Sequence, residues 1–366
     1  MNYLRIASLD IISIIISKLE YYDFLNFIDT YEEYNKIDYT LIALFKYPKY
    51  IKELIEYYKV ITLPEYKEIL SLFEVKGSIN QLSNYDITRV RSLTKIIIIS
   101  NEYLNDNNIC IIPKQMALLK NLKSMVILSV EQIKYEKVIN SNNVDINKRN
   151  IYDKLINYIN DNNFKDIPHT GIKVIFPFEL IKLENLNSIY ITSKLTEIPD
   201  TLLFIPNITH LSLGRNLISI IPNWISNLQK LTNLELNQNK IKVIPDELYD
   251  LTSLECLLLY NNEITEISEN INLLNNLYIL LLHNNKIKNI KLELPKLERL
   301  SLGGNPINKL YPEIAVSTNL SFLDIKYTNI NSLPEELYTL NLRTVGCNNT
   351  LINIFRSKFP NIQFSR

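Results

Sequence analysis

The stretch Leu231-x-x-Leu234-x-Leu236-x-x-Asn239-x-Ile241-x-x-Ile244-Pro245 decides how this chain is read. It is followed in register by Leu254-x-x-Leu257-x-Leu259-x-x-Asn262-x-Ile264-x-x-Ile267 and by Leu277-x-x-Leu280-x-Leu282-x-x-Asn285-x-Ile287-x-x-Ile290. The closing isoleucine recurs at Ile198, Ile221, Ile244, Ile267 and Ile290, 23 residues apart each time. One unit is shorter, 20 residues from Ile290 to Leu310, and the step returns to 23 at Leu333. A fixed period of this length marks a stack of like units.

Spacing assigns the elements. The last two leucines of each Leu-x-x-Leu-x-Leu are two apart, so a strand turns both to one side. Stacked units pair these strands in parallel. The Asn that follows (Asn216, Asn239, Asn262, Asn285, Asn305) carries donors and an acceptor for turn backbone that no sheet reaches. Pro after Ile suits the first turn of a short helix or an extended return segment. Apolar residues three apart, as in Ile225, Leu228 and Leu231, close the core behind the sheet.

These motifs resemble the leucine-rich repeat family in its short Ile-Pro form. The resemblance implies an α/β solenoid, with a curved parallel sheet on the concave face, over residues 91–366. In that family the Asn forms a ladder inside the turns. Upstream, Leu93-x-x-Ile96-x-Ile98 and Leu122-x-x-Met125-x-Ile127 fit the strand pattern, and Pro113 precedes Leu122 by nine residues, as Pro177 precedes Leu186. No register holds over 131–172, which reads as an insertion on one rim or as degenerate repeats. At the far end, Leu342-x-x-Val345-x-Cys347 and Phe359-x-x-Ile362-x-Phe364 read as the last strands. Phe355 and Phe359 are placed to cover the open edge, which otherwise invites pairing with another chain.

Residues 1–60 keep a helical period, and 61–90 read as a helical connector. Within the first, Ile11-Ile12-Ser13-Ile14-Ile15-Ile16-Ser17-Lys18-Leu19 and Asp23-Phe24-Leu25 make Ala7–Tyr34 resemble an F-box, although Ala7-Ser8 stands where that family has Leu-Pro and Asp29-Thr30 where it has Leu-Val. The resemblance implies that Ile11, Ile12, Ile15, Ile16, Leu19, Phe24 and Leu25 dock a Skp-type linker protein. The alternative is a helical cap on the solenoid.

Composition excludes several function classes. With 39 basic and 39 acidic residues there is no cationic excess to hold a phosphate backbone. The Ile-, Asn-, Lys- and Tyr-rich bias is that of A/T-rich coding. Three widely spaced cysteines, Cys110, Cys256 and Cys347, form no disulfide framework. They favour an intracellular, cytoplasmic placement, the host cytoplasm for a viral source. No run reaches the roughly 18 apolar residues of a membrane span, and the run Ile11–Ile16 lacks the flanks of a signal peptide. No metal, cofactor or catalytic constellation emerges: there is no Cys-x-x-Cys, no Gly-rich phosphate loop, and only three histidines, His169, His210 and His283.

Strand alternation then picks the working face. If Leu257 and Leu259 turn inward, Cys256, Leu258 and Tyr260 face out on the concave side, as do Ile279, Leu281 and His283 in the next unit. Polar residues are expected there, so this apolar group, with Phe322 two strands on and Glu235, Arg299, Asp324 and Lys326 around it, reads as an exposed patch for a protein target. Cover by the chain's own 131–172 and genomic bias toward Ile and Leu are the competing explanations. No base other than His283 neighbours Cys256, so the thiol reads as an inert strand side chain. The reading as a whole is a non-catalytic recognition protein. The leading specific form is a substrate-recognition subunit of a cullin-type ubiquitin ligase, the other a scaffold or decoy.

Overall fold

The computed structural model describes residues 95–99, 107–112, 121–129, 132 and 169–365. All of them lie in one compact unit, Ile87–Arg366. The F-box-like stretch 7–34, its seven docking residues, the connector 61–90 and most of 131–172 lie outside the described residues.

Thirteen strands are present among the described residues: β1 Lys95–Ile99, β2 Ile109–Ile111, β3 Ser124–Leu128, β4 Lys173–Ile175, β5 Ser188–Thr192, β6 His210–Ser212, β7 Asn233–Glu235, β8 Cys256–Leu258, β9 Ile279–Leu281, β10 Arg299–Ser301, β11 Phe322–Asp324, β12 Thr344–Gly346 and β13 Gln363–Phe364. Eleven make one sheet, in the order β1-β3-β5-β6-β7-β8-β9-β10-β11-β12-β13. Pairing is parallel throughout, and equivalent residues face each other: Leu234 lies against Leu257, and Leu257 against Leu280. Strands of three residues suffice because each is held from both sides by copies of itself. The fold is a leucine-rich-repeat solenoid.

The inward positions form the core. Leu234, Leu236, Leu257, Leu259, Leu280 and Leu282 are all 0% exposed. Each such side chain contributes roughly 2–3 kcal/mol by leaving water. Behind the sheet, the chain after Pro177, Pro199, Pro222, Pro245 and Pro334 enters a one-turn 3-10 helix of five residues. Each of these prolines sits at extended backbone just before the helix, where its fixed φ costs nothing. Ile225, Leu228 and Leu231 are buried as their spacing requires.

The asparagine ladder is laid down atom by atom. Asn262 Oδ1 accepts the Ile241 N–H at 3.0 Å, while its Nδ2 donates to the Leu236 and Leu259 carbonyls at 2.9 and 3.0 Å. Asn239 and Asn285 repeat the pattern one unit before and one after. The Leu236 carbonyl therefore has two amide donors, Asn239 and Asn262, whereas the Ile241 N–H has one acceptor. At the start of the run Ser193 is buried in the turn, and Asn216 Oδ1 takes both the Ser193 and the Leu195 N–H. Leu195 follows Ile191 by four residues where Ile241 follows Leu236 by five, so this turn is one residue shorter than the others.

Two features lie outside the repeat grammar. β2 and β4 form a second parallel ladder, Cys110 against Val174. β3 and β5 are direct neighbours in the main sheet, Met125 against Ile189, although more than sixty residues separate them in sequence. At the C-terminus α1, Asn349–Lys358, precedes β13, and Phe355 and Phe359 are buried there with ring centroids 6.0 Å apart. These rings close the last unit, and the edge strand itself is only two residues long.

Candidate functional site

Alternation along the strands raises three rows of side chains on the open face of the sheet. From β6 to β11 the first row runs His210, Asn233, Cys256, Ile279, Arg299, Phe322, and the second Ser212, Glu235, Leu258, Leu281, Ser301, Asp324. Just beyond the strands follow Tyr260, His283 and Lys326. The expected candidates thus share one face.

Exposure divides them. Leu258, Ile279, Leu281, Tyr260, His283, Phe322, Asp324 and Lys326 are half-buried and Arg299 is exposed. Cys256 is a correction: it stands on this face but is only 6% exposed. Its small side chain sits between Asn233 and Ile279 on the paired strands. Burial, and then the charge of Glu235, push its thiol up to about 11. It is protonated at neutral pH, which removes the condition a nucleophilic cysteine needs.

The apolar centre is the pair Leu258 and Leu281, side by side in the ladder. Each flank carries a serine bound to an acid on the following strand. Ser212 Oγ donates to Glu235 at 2.7 Å, and Ser301 Oγ donates to Asp324 Oδ2 at 2.9 Å. A hydroxyl one strand back thus holds each carboxylate across the sheet. Asp324 is fixed further: its Oδ1 accepts the Lys326 N–H at 3.2 Å, and a Cβ on Gly346 would overlap it. Serine at these positions was the sequence signal for this arrangement, and it becomes legible only when the strands are aligned.

The Ser301–Asp324 bond sets the state of His283. Ser301 has one proton and gives it to a carboxylate that can only accept. His283 Nδ1 lies 3.1 Å from the same Oγ. It must therefore be the protonated nitrogen, leaving Nε2 as an acceptor. The ring stacks on Tyr260, with centroids 4.4 Å apart and planes 10° from parallel. Burial holds the His283 pKa below its ordinary value, while Asp324 pulls the other way. The neutral form is thus favoured at pH 7. On the other side the Arg299 guanidinium lies 4.7 Å over the Phe322 ring.

The arrangement can offer an apolar seat, a fixed hydrogen-bond acceptor and charges of both signs. Ser, His and Asp are present together, but Ser301 lies between the other two, so His283 cannot deprotonate it toward a substrate as a catalytic triad requires. Among the described residues no cluster of His, Cys, Asp or Glu could hold a metal ion, and no helix is long and apolar enough to cross a membrane.

Residues 184–241 match the family model described as leucine rich repeat. Among curated proteins nothing matches the chain. Among solved structures, internalin C2 of Listeria monocytogenes is similar at 26% identity, over 46% of this chain and 74% of its own, with a TM-score of 0.41. A leucine-rich-repeat protein of Leptospira interrogans is 16% identical over 78% of this chain and 98% of its own, with a TM-score of 0.33. The plant peptide hormone receptor RGFR1, solved in complex with RGF2, is 20% identical over 65% of this chain and 42% of its own, with a TM-score of 0.41.

Proposed function

We propose that this leucine-rich-repeat solenoid is a non-catalytic recognition module that holds a protein target on the open face of its sheet. One observation carries the reading. Where the outward rows are otherwise mostly polar, Leu258 and Leu281 stand adjacent and half-exposed, with Ile279 beside them and charged groups around. Half-exposed apolar side chains ringed by polar ones gain most from a partner that completes their removal from water.

The test is the double variant Leu258→Asp, Leu281→Asp. Both residues lie on the outward row, so the circular dichroism spectrum and melting temperature are expected to stay near those of the parent. Capture of the target, assayed by cross-linking in cell extract, is expected to disappear. Undiminished capture places the site elsewhere.

The finer form of the proposal is a substrate-recognition subunit of an intracellular, cytoplasmic cullin-type ubiquitin ligase. The F-box resemblance of 7–34 supports it: Ile11, Ile12, Ile15, Ile16, Leu19, Phe24 and Leu25 would dock the Skp-type linker. The chain would make and break no bond itself; it would raise the target's effective concentration at the ligase. In the full chain Ile15→Asp is expected to abolish co-purification of the linker while target capture persists. If the linker never co-purifies with the parent, the chain is a scaffold or decoy.

A further inference from the structure

The open face is electrically polarised along the solenoid, and its polarity matches the pitch of an extended peptide. From β6 to β11 the outward rows hold four side chains with fixed charge: Glu235, Arg299, Asp324 and Lys326. At the β7 end Glu235 stands alone, among Asn233, Ser212 and Asn237. At the far end two cations accompany one acid. That acid, Asp324, accepts the Ser301 hydroxyl as Glu235 accepts the Ser212 hydroxyl, so the two carboxylates count alike, and Arg299 is exposed. One end is therefore negative and the other net positive. Leu258 and Leu281 lie between.

The distances follow from the sheet. Strands are about 4.8 Å apart, which puts β8, β9 and β10 at roughly 5, 10 and 14 Å from β7. In an extended chain laid across the strands, residues on one side recur every ~6.6 Å. A residue over Glu235 is then followed, two places on, by one at ~6.6 Å, between Leu258 and Leu281. The next, at ~13 Å, comes level with β10, where Ser301 continues the row and Arg299 stands one row aside, ~6.6 Å back along the strand. A segment running obliquely toward the first row brings its third side chain within reach of Arg299.

We propose that the face reads an extended segment carrying a basic, an apolar and an acidic side chain at positions i, i+2 and i+4, seated on Glu235, on the Leu258–Leu281 pair and on Arg299. The inference rests on the recognition reading above and names the chemistry of its partner. The motif is accepted in either chain direction, because the pairing is set by side chains and not by backbone hydrogen bonds. A globular patch with no such strand, or a segment acidic at both ends, is a different occupant.

The experiment is selection of an unbiased library of twelve-residue peptides displayed on phage against the full chain. Enriched peptides are expected to carry Lys or Arg and Asp or Glu four places apart, with an aliphatic or aromatic residue midway. A synthetic peptide of that pattern should bind Arg299→Glu at least tenfold more weakly than the parent. Selection on Arg299→Glu should exchange the acidic residue for a second basic one. The proposal is overturned by enrichment of peptides without the charge pair, by indifference of the motif to Arg299→Glu, or by no enrichment at all. Peptides that lack the charges but still need Leu258 and Leu281 would sink this motif and leave the broader recognition reading standing.

Discussion

The unit from Ile244 to Ile267 and the unit from Ile290 to Leu310 solve the same problem with different lengths of chain. The first has the proline entry at Pro245 and a 3-10 helix, Asp246–Asp250, on the back of the sheet. The second is three residues shorter, and the described structure passes from β9 to β10 with no helix between them. Yet β10 pairs with β9 and β11 in the same register as every other strand, Leu300 against Leu280 and Leu323. The sheet and the asparagine ladder set the position of a unit. The return path has only to bridge the distance and satisfy its own polar groups.

In the short unit, neighbouring side chains supply what the missing helix would have. Asn272 Oδ1 accepts the Glu293 N–H at 2.8 Å, and its Nδ2 reaches the Lys291 carbonyl at 3.4 Å. Ser317 occupies the place that Leu228, Leu251 and Leu274 hold in other units, just after the 3-10 helix. Its hydroxyl reaches the Leu294 carbonyl at 2.8 Å. Lys291 lies 3.3 Å from Glu293 and 3.2 Å from Glu313. A related exchange marks the unit that begins at Ser268, where proline is absent. There the Ser268 hydroxyl caps the helix by accepting the Asn270 N–H. The N–H that Ser268 keeps faces buried Tyr249, whose phenol burial raises to about 12.

If the sheet side is rigid grammar and the back is adaptable, substitutions should rank accordingly. Asn262→Leu is expected to cost the most, about 3 kcal/mol, read by urea denaturation. It orphans the buried Ile241 N–H, while the Leu236 and Leu259 carbonyls keep Asn239 and Asn285 as donors. Asn272→Ala on the back should cost about 1 kcal/mol, since the groups it leaves lie near water. A loss at Asn272 equal to that at Asn262 would break the distinction. Lys291→Met should leave the melting temperature within scatter, because solvent still reaches and screens half-exposed pairs of this kind. A clear drop there would mean that the ion pairs, and not the side-chain hydrogen bonds, hold the short unit.

How far the sequence reached can be judged from individual residues. The period of 23 identified Leu257 and Leu259 as core and Asn262 as a ladder member, because inward position is a property of each unit and repeats with it. The same alternation put Cys256 and Leu258 on one face, but could not tell that Cys256 is covered while Leu258 is half-exposed. Cover depends on the side chains of the two adjoining strands, each a full unit away in the chain. The second ladder of β2 and β4 was invisible for a related reason. Its strands are three residues long and carry no two-residue alternation distinguishable from loop.

By itself, then, the sequence determined the lattice: which side chains turn inward, where each turn closes, and which rows share the open face. Those follow from local periodicity and from the requirement that every unit bury itself against its neighbours. Only the tertiary structure decided the chemistry of that face. The proton on His283 Nδ1, the tethered carboxylates of Glu235 and Asp324 and the sheltered thiol of Cys256 each arise between strands, from contacts that no single unit contains.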